Sequence, residues 1–239
     1  MNRLRLCTLT VLLLAISLTA SAEDKPQHSA VKPVPRQGDW LKRHESFNAR
    51  VAKGNTDLIF IGDSITQGWE GRGKNVWKEF YGERNAVNLG IGGDRTQHVL
   101  WRLDNGNIKG IAPKLAVIMI GTNNSGSNTS EEIFDGNKAI VNKLRKALPE
   151  MNILILAVFP RGPNANDKRR QVNEKANEMI SKLADGKRVH FLDIGKGFLQ
   201  DDGVLTREIM PDLLHLSEKG YTIWAESIEP SVKKLMGES

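Results

Sequence analysis

The octapeptide Asp57-Leu58-Ile59-Phe60-Ile61-Gly62-Asp63-Ser64 constrains the fold of this chain more than any other stretch. Leu58 to Ile61 is an unbroken apolar run rich in Ile and Phe, the pattern of a strand buried on both faces. Gly62 ends the run, because a residue without a Cβ turns sharply at no steric cost. Asp63 and Ser64 then stand where a following helix begins. A serine there sits at the carboxyl end of a central strand, where open α/β sheets place their sites. Taken alone, Gly-Asp-Ser reads first as a helix cap.

The same unit recurs along the chain. Apolar runs at 86–89, 115–120, 153–159 and 189–192 add four strands to the first. Between them lie amphipathic stretches of helical length: 39–53, 94–103, 131–148 and 167–184, with a last one opened by Ser217. Strands alternating with helices of this length predict βαβ crossovers and a parallel sheet in a single α/β domain over residues 39–239.

Ahead of that domain the composition changes. Arg3 and Arg5, the mostly apolar run from Leu6 to Leu18 and the small residues Ala20-Ser21-Ala22 match a secretory signal over residues 1–22. The apolar run is short for a membrane span, so no stable membrane insertion is expected once the signal is cleaved. The expected location is secreted or periplasmic. Residues 23–38, polar and holding Pro26, Pro33 and Pro35, read as a flexible, extended leader. Cys7, the only cysteine, falls inside the signal, which leaves the mature chain without thiol or disulfide chemistry. Losing Arg3 and Arg5 leaves 32 basic against 28 acidic residues, a net +4 spread over the chain. The basic cluster Lys168-Arg169-Arg170 has no aromatic interleaving, so nucleic acid is not an expected partner.

In a parallel sheet, several strand ends converge on one edge, bringing Ser64 together with Gly92-Gly93 and Thr122-Asn123, and with the later segment Asp212-Leu213-Leu214-His215. A serine hydroxyl is a weak nucleophile that needs a base, usually a histidine oriented by a third group. His215 is the candidate base, and Asp212, three residues earlier, faces the same way if the segment forms a short helical turn. An oxyanion forming on an attacked carbonyl needs donors aimed at it. Candidates are the Ser64 N–H at the start of its helix, a glycine N–H from the Gly92-Gly93 turn, and the Asn123 side-chain amide. Asn123 reads equally as a simple turn residue. Gly90-Ile91-Gly92-Gly93 suggests a dinucleotide loop, but Arg95 stands where the third glycine belongs. Neither a phosphate loop nor metal-ligand spacing is present, so no cofactor and no metal are expected.

In chain order these pieces resemble the SGNH (GDSL) hydrolase family. Gly62-Asp63-Ser64 matches its nucleophile block, Asn88 to Asp94 its glycine block, Gly121-Thr122-Asn123-Asn124 its asparagine block, and Asp212 to His215 its Asp-x-x-His block. Within the family the chain looks most like the catalytic subunits of intracellular platelet-activating-factor acetylhydrolase and their bacterial relatives, through Gly90-Ile91-Gly92-Gly93-Asp94, His98 to Leu103, Phe159-Pro160-Arg161-Gly162 and Asp212 to Leu216. The resemblance implies a flavodoxin-like three-layer α/β/α sandwich with a central five-stranded parallel sheet, and ester hydrolysis through an acyl-enzyme. Carried over, it makes Ser64 the nucleophile, Asp212 and His215 the rest of a triad, and Ser64, Gly93 and Asn123 the oxyanion hole.

The secretory leader departs from the intracellular relatives and sets an acylated carbohydrate beside a lipid as the expected substrate. Ile65, Leu213 and Leu214, if they wall the acyl site, make it short and apolar and favour acetyl. The expectation is a secreted serine esterase acting on short-chain esters of carbohydrates. The alternatives are a lipid-directed acylhydrolase of the lysophospholipase or acetylhydrolase kind, and a non-catalytic glycan-binding protein, which would require a damaged triad. The oligomeric state is not legible in the sequence.

Overall fold

A computed structural model describes residues 27–238. The secretory signal expected over residues 1–22 lies outside the described residues, as do residues 23–26.

Five strands build the sheet: β1 (Leu58–Gly62), β2 (Ala86–Gly90), β3 (Leu115–Met119), β4 (Asn152–Leu156) and β5 (Val189–Leu192). All neighbours pair in parallel, in the order β2-β1-β3-β4-β5. Among the described residues seven α-helices accompany them: α1 (Asp39–Val51), α2 (Ser64–Gln67), α3 (Lys74–Tyr81), α4 (Thr96–Asp104), α5 (Ser130–Ala147), α6 (Lys168–Ile180) and α7 (Glu218–Met236). The chain steps from β1 to β2 on one side, then returns across β1 to β3 and continues outward. Right-handed crossovers that reverse direction must also change face. Accordingly α2 and α3 join α7 on one face, and α1, α4, α5 and α6 cover the other. This is a three-layer α/β/α sandwich with a five-stranded parallel sheet, as expected.

Strand β1 shows how the sequence makes both cores. Every residue from Leu58 to Gly62 is buried. With a period of two, Leu58 and Phe60 enter the cluster under α7, with Trp69, Tyr221 and Trp224, while Ile59 and Ile61 enter the cluster under α4 and α5. Helix starts follow local chemistry. Thr129 and Glu132 form a reciprocal capping box for α5, Asp167 caps α6 and Ser217 caps α7.

Three local expectations are corrected. β4 ends at Leu156 rather than Phe159, because the Asn177 side chain of α6 takes both the N–H and the carbonyl of Val158 at 2.8 and 3.0 Å, in place of strand pairing. Asp94 does not cap α4. The helix starts at Thr96, and the Asp94 carboxylate is buried as the acceptor for Trp40 Nε1 and Arg102 Nε. Residues 27–38 are not a free leader. Ala30 is fully buried, its carbonyl accepts from Thr96 Oγ1 at 2.7 Å, and the Val34 N–H donates to the Gln97 carbonyl at 3.3 Å. The segment also holds a short 3-10 turn over Ser29–Val31.

Candidate active site

The order β2-β1-β3 makes the β1/β3 boundary the topological switch point, where crossovers diverge to opposite faces and leave a crevice at the strand ends. Ser64 opens α2 directly after β1. The Asp63 Oδ1 accepts the Ile65 N–H at 2.9 Å, so the cap expected of this residue is present and holds the turn that presents Ser64.

Across the crevice, the Ser64 Oγ lies 2.8 Å from His215 Nε2, over a sequence separation of 151 residues. The other ring nitrogen, Nδ1, is 2.7 Å from Asp212 Oδ2. The Asp212-to-His215 segment is not the helical turn expected from its spacing. Leu213 takes φ +60°, and the Asp212 Oδ1 accepts the N–H groups of Leu214 and His215 at 3.1 and 2.7 Å. One carboxylate therefore folds its own turn with one oxygen and orients the imidazole with the other. The Leu213 carbonyl accepts from the Gly162 N–H at 2.9 Å, which ties this turn to the segment after β4. Burial alone would raise the Asp212 pKa, but the hydrogen bonds from the His215 side chain and backbone outweigh it and hold the group at about 2.

The three candidate oxyanion donors sit just past the ends of β1, β2 and β3. Among the described residues, neither the Ser64 nor the Gly93 N–H has a partner. The Gly92 N–H, by contrast, is spent on Gln67 Oε1 at 2.7 Å. Gly93 has φ +75°, a conformation for which glycine is the natural choice. Asn123 Nδ2 donates one hydrogen to the Asp94 carbonyl at 2.9 Å and keeps the second. The structure thus brings Ser64, His215 and Asp212 into one hydrogen-bonded row, with Asn123 tied through the Asp94 carbonyl to the loop that carries Gly93.

The expected pocket residues divide. Leu213 and Leu214 are half-buried beside His215, whereas Ile65 is 1% exposed within the core under α7 and offers no surface to an acyl group. Its carbonyl accepts from Tyr221 Oη at 2.6 Å. The site is open: the side chains of His215 and Asp212 keep 36% and 54% of their exposure.

The contacts behind the site are not legible in the sequence. Arg102 is 1% exposed and joins Asp94 at 2.9 Å and Asn107 at 2.7 Å. Arg36 donates to the Gly92 carbonyl at 2.7 Å. Arg161 donates to the carbonyl and hydroxyl of Thr122, both at 3.2 Å. No periodicity or spacing marks such pairs. Asp63 is fully buried with Oδ2 unpartnered, and its pKa is pushed up to about 7, first by desolvation, against the Ile65 hydrogen bond and reinforced by the charge of Asp94.

This arrangement can deliver a hydroxyl to a carbonyl, take up its proton and stabilise the oxyanion, which is the chemistry of acyl transfer. Comparison with known proteins agrees. Residues 60–223 match the model of the GDSL-like lipase/acylhydrolase family. Platelet-activating factor acetylhydrolase IB subunit alpha1 of Homo sapiens is 38% identical over 224 residues, covering 91% of this chain and 94% of its own. The alpha2 subunit of Rattus norvegicus is 37% identical over 209 residues, covering 85% and 88%. Among solved structures, a carbohydrate acetylesterase family member from Sinorhizobium meliloti superposes with a TM-score of 0.60 at 18% identity, over 76% of this chain and 99% of its own. A variant of an acetyl-xylooligosaccharide esterase from Geobacillus does so with a TM-score of 0.61 at 19% identity, over 78% and 96%. This chain belongs to the GDSL-like lipase/acylhydrolase family and is a carboxylic ester hydrolase.

Proposed function

We propose that this chain is a secreted serine esterase that removes short acyl groups, acetyl foremost, from carbohydrate alcohols through an acyl-enzyme on Ser64. The observation that carries the reading is the unbroken chain from Ser64 Oγ through the imidazole to Asp212, at 2.8 and 2.7 Å, with the Ser64 and Gly93 amides free of partners among the described residues. In this mechanism neutral His215 takes the Ser64 proton at Nε2 while Asp212 keeps the proton on Nδ1 and stabilises the imidazolium. The oxyanion is held by the N–H groups of Ser64 and Gly93 and by the second amide hydrogen of Asn123. His215 then gives its proton to the departing alcohol, and water, activated by the same base, releases the acid.

Two features support a small acyl group on an exposed alcohol. Half-buried Leu213 and Leu214 stand between Asp212 and His215 as candidate apolar walls of a short acyl site, and the open site leaves room for a bulky hydrophilic leaving group. Export rests on the charged, apolar and small-residue pattern of residues 1–22. A second reading, a lipid-directed acetylhydrolase, is favoured by the 38% identity to platelet-activating factor acetylhydrolase IB subunit alpha1.

Turnover of acetylated xylo-oligosaccharides, of an acetyl glycerophospholipid and of nitrophenyl esters from acetate to decanoate tests both. The expected result is highest kcat/KM on acetate and on the acetylated sugars. Preference for octanoate or longer overturns the short acyl site, and preference for the phospholipid selects the second reading. Ser64→Ala is expected to abolish turnover; a variant as active as the parent removes Ser64 from the mechanism. Expression of the full chain with mass analysis of the exported N-terminus should find residues 1–22 gone.

A further inference from the structure

The peptide unit joining Gly92 to Gly93 has its two polar ends treated in opposite ways. Its carbonyl, on Gly92, accepts from Arg36 Nη1 at 2.7 Å. Its N–H, on Gly93, has no partner among the described residues, and the turn lies against the nucleophile, since a Cβ on Gly92 would stand 3.8 Å from the Ser64 Cβ. A trans peptide is planar with its C=O and N–H antiparallel, so fixing one end fixes the direction of the other. A cationic donor on the carbonyl also draws electron density towards the oxygen, which makes the N–H at the far end a stronger donor.

Arg36 is itself held where this requires. Its Nη1 lies 3.5 Å from Asp94 Oδ1, and that carboxylate is fully buried and anchored by Trp40 and Arg102. The guanidinium lies against the glycine turn, since a Cβ on Gly93 would stand 3.1 Å from Nη1 and 3.4 Å from Nη2. The segment that delivers Arg36 is moored by the buried Ala30 and by its bond from Thr96. The same Asp94 residue receives the Asn123 amide on its backbone carbonyl, so two of the oxyanion donors are tied to one buried knot.

We propose that Arg36 is a positioning residue of the oxyanion hole, setting the plane and the donor strength of the Gly92–Gly93 peptide from outside the crevice. The proposal rests on the reading of Ser64 as nucleophile and Gly93 as oxyanion donor. Because the oxyanion forms in both acylation and deacylation, loss of Arg36 lowers kcat whichever step limits it, and leaves ground-state binding nearly untouched.

The test uses the full chain with Arg36→Met, which keeps the stem and removes the donor, and Arg36→Lys, which restores one charged donor. Nitrophenyl acetate turnover is measured as separate kcat and KM, alongside thermal midpoints and the Ser64→Ala control. Arg36→Met is expected to lower kcat about tenfold to a hundredfold, short of deleting a donor outright, with KM within about threefold. Arg36→Lys is expected to recover most of that loss at an unchanged thermal midpoint. A kcat within twofold of the parent in Arg36→Met, with Ser64→Ala inactive, overturns the proposal and leaves the esterase reading standing. A rise in KM at constant kcat also overturns it, by making Arg36 a substrate contact. Equal loss in both variants with a lowered midpoint overturns it in favour of a merely structural role. Activity surviving in Ser64→Ala removes the reading beneath it.

Discussion

Asp63 stands next to the nucleophile and does two incompatible things: it caps α2 through Oδ1 and is sealed from water with Oδ2 unpartnered. Desolvation wins, and its pKa rises from 3.8 to about 7 in the folded state. Between those values the folded chain keeps a proton that the unfolded chain has released. The contribution of Asp63 to stability is therefore fully present below pH 3.8 and is lost as pH rises through about 7, at up to about 1.4 kcal/mol per pH unit. Asp63→Asn, which resembles the protonated form, is expected to flatten that fall; urea melts of both proteins between pH 4.5 and 8 measure it, and parallel curves would refute it. Asp212 works with the opposite sign. Its folded pKa of about 2 lies below the ordinary 3.8, so its contribution is present above pH 3.8 and fades as pH falls towards 2. The carboxylate that orients His215 thus stays charged throughout the range in which an ester hydrolase works, and the one beneath Ser64 does not.

Helices α1 and α4 meet over a buried charge pair rather than over apolar side chains alone. Arg102 on α4 and Asp94 just before it are 1% and 0% exposed and lie 2.9 Å apart, with Trp40 of α1 and Asn107 completing the shell. Breaking such a pair leaves an uncompensated buried charge. Arg102→Met is expected to cost roughly 3–5 kcal/mol in chemical denaturation, and adding Asp94→Asn should return part of it. A loss below about 1 kcal/mol would mean that Asp94 simply takes up a proton. On the opposite face, α7 braces α2 through the buried bond from Tyr221 to the Ile65 carbonyl. Tyr221→Phe should cost about 0.5–1.5 kcal/mol, with the shape of the core under α7 kept.

At the scale of the whole molecule, residues 27–38 couple the amino-terminal end of the described chain to the active site. Burial of Ala30 holds the segment and Arg36 extends the hold to the glycine turn. Ala30→Asp places a carboxylate where no exposure remains, so the segment is expected to lift off. Hydrogen exchange should then rise across residues 28–36 while β1, β3 and β4 keep their protection, and kcat should fall with it. Unchanged exchange in that segment would show that its docking does not depend on Ala30.

Local sequence carried much of this molecule. The apolar run before Gly62 announced a doubly buried strand, the alternation of strands and helices announced a parallel sheet, and Ser217 marked its helix because a cap is a contact within three residues. The candidate site was legible for a different reason: short blocks each carry one chemical group, and a parallel sheet sends strand ends to one edge. What lay beyond reach were contacts between residues far apart in the chain, which leave no trace in spacing. Arg36 sits in a proline-rich stretch whose composition argues for solvent, and Asp94 looks like a cap until Arg102 and Trp40 bury it. Leu213 shows the same limit at close range, since its left-handed turn follows from the carboxylate of Asp212 and the N–H of Gly162 rather than from helical spacing. By itself the sequence determined the layers, the strand ends and the groups they present, because those depend on neighbours. Only the tertiary structure decided which amides have no partner among the described residues and which cation docks on the Gly92 carbonyl, because those depend on what distant segments bury against each other.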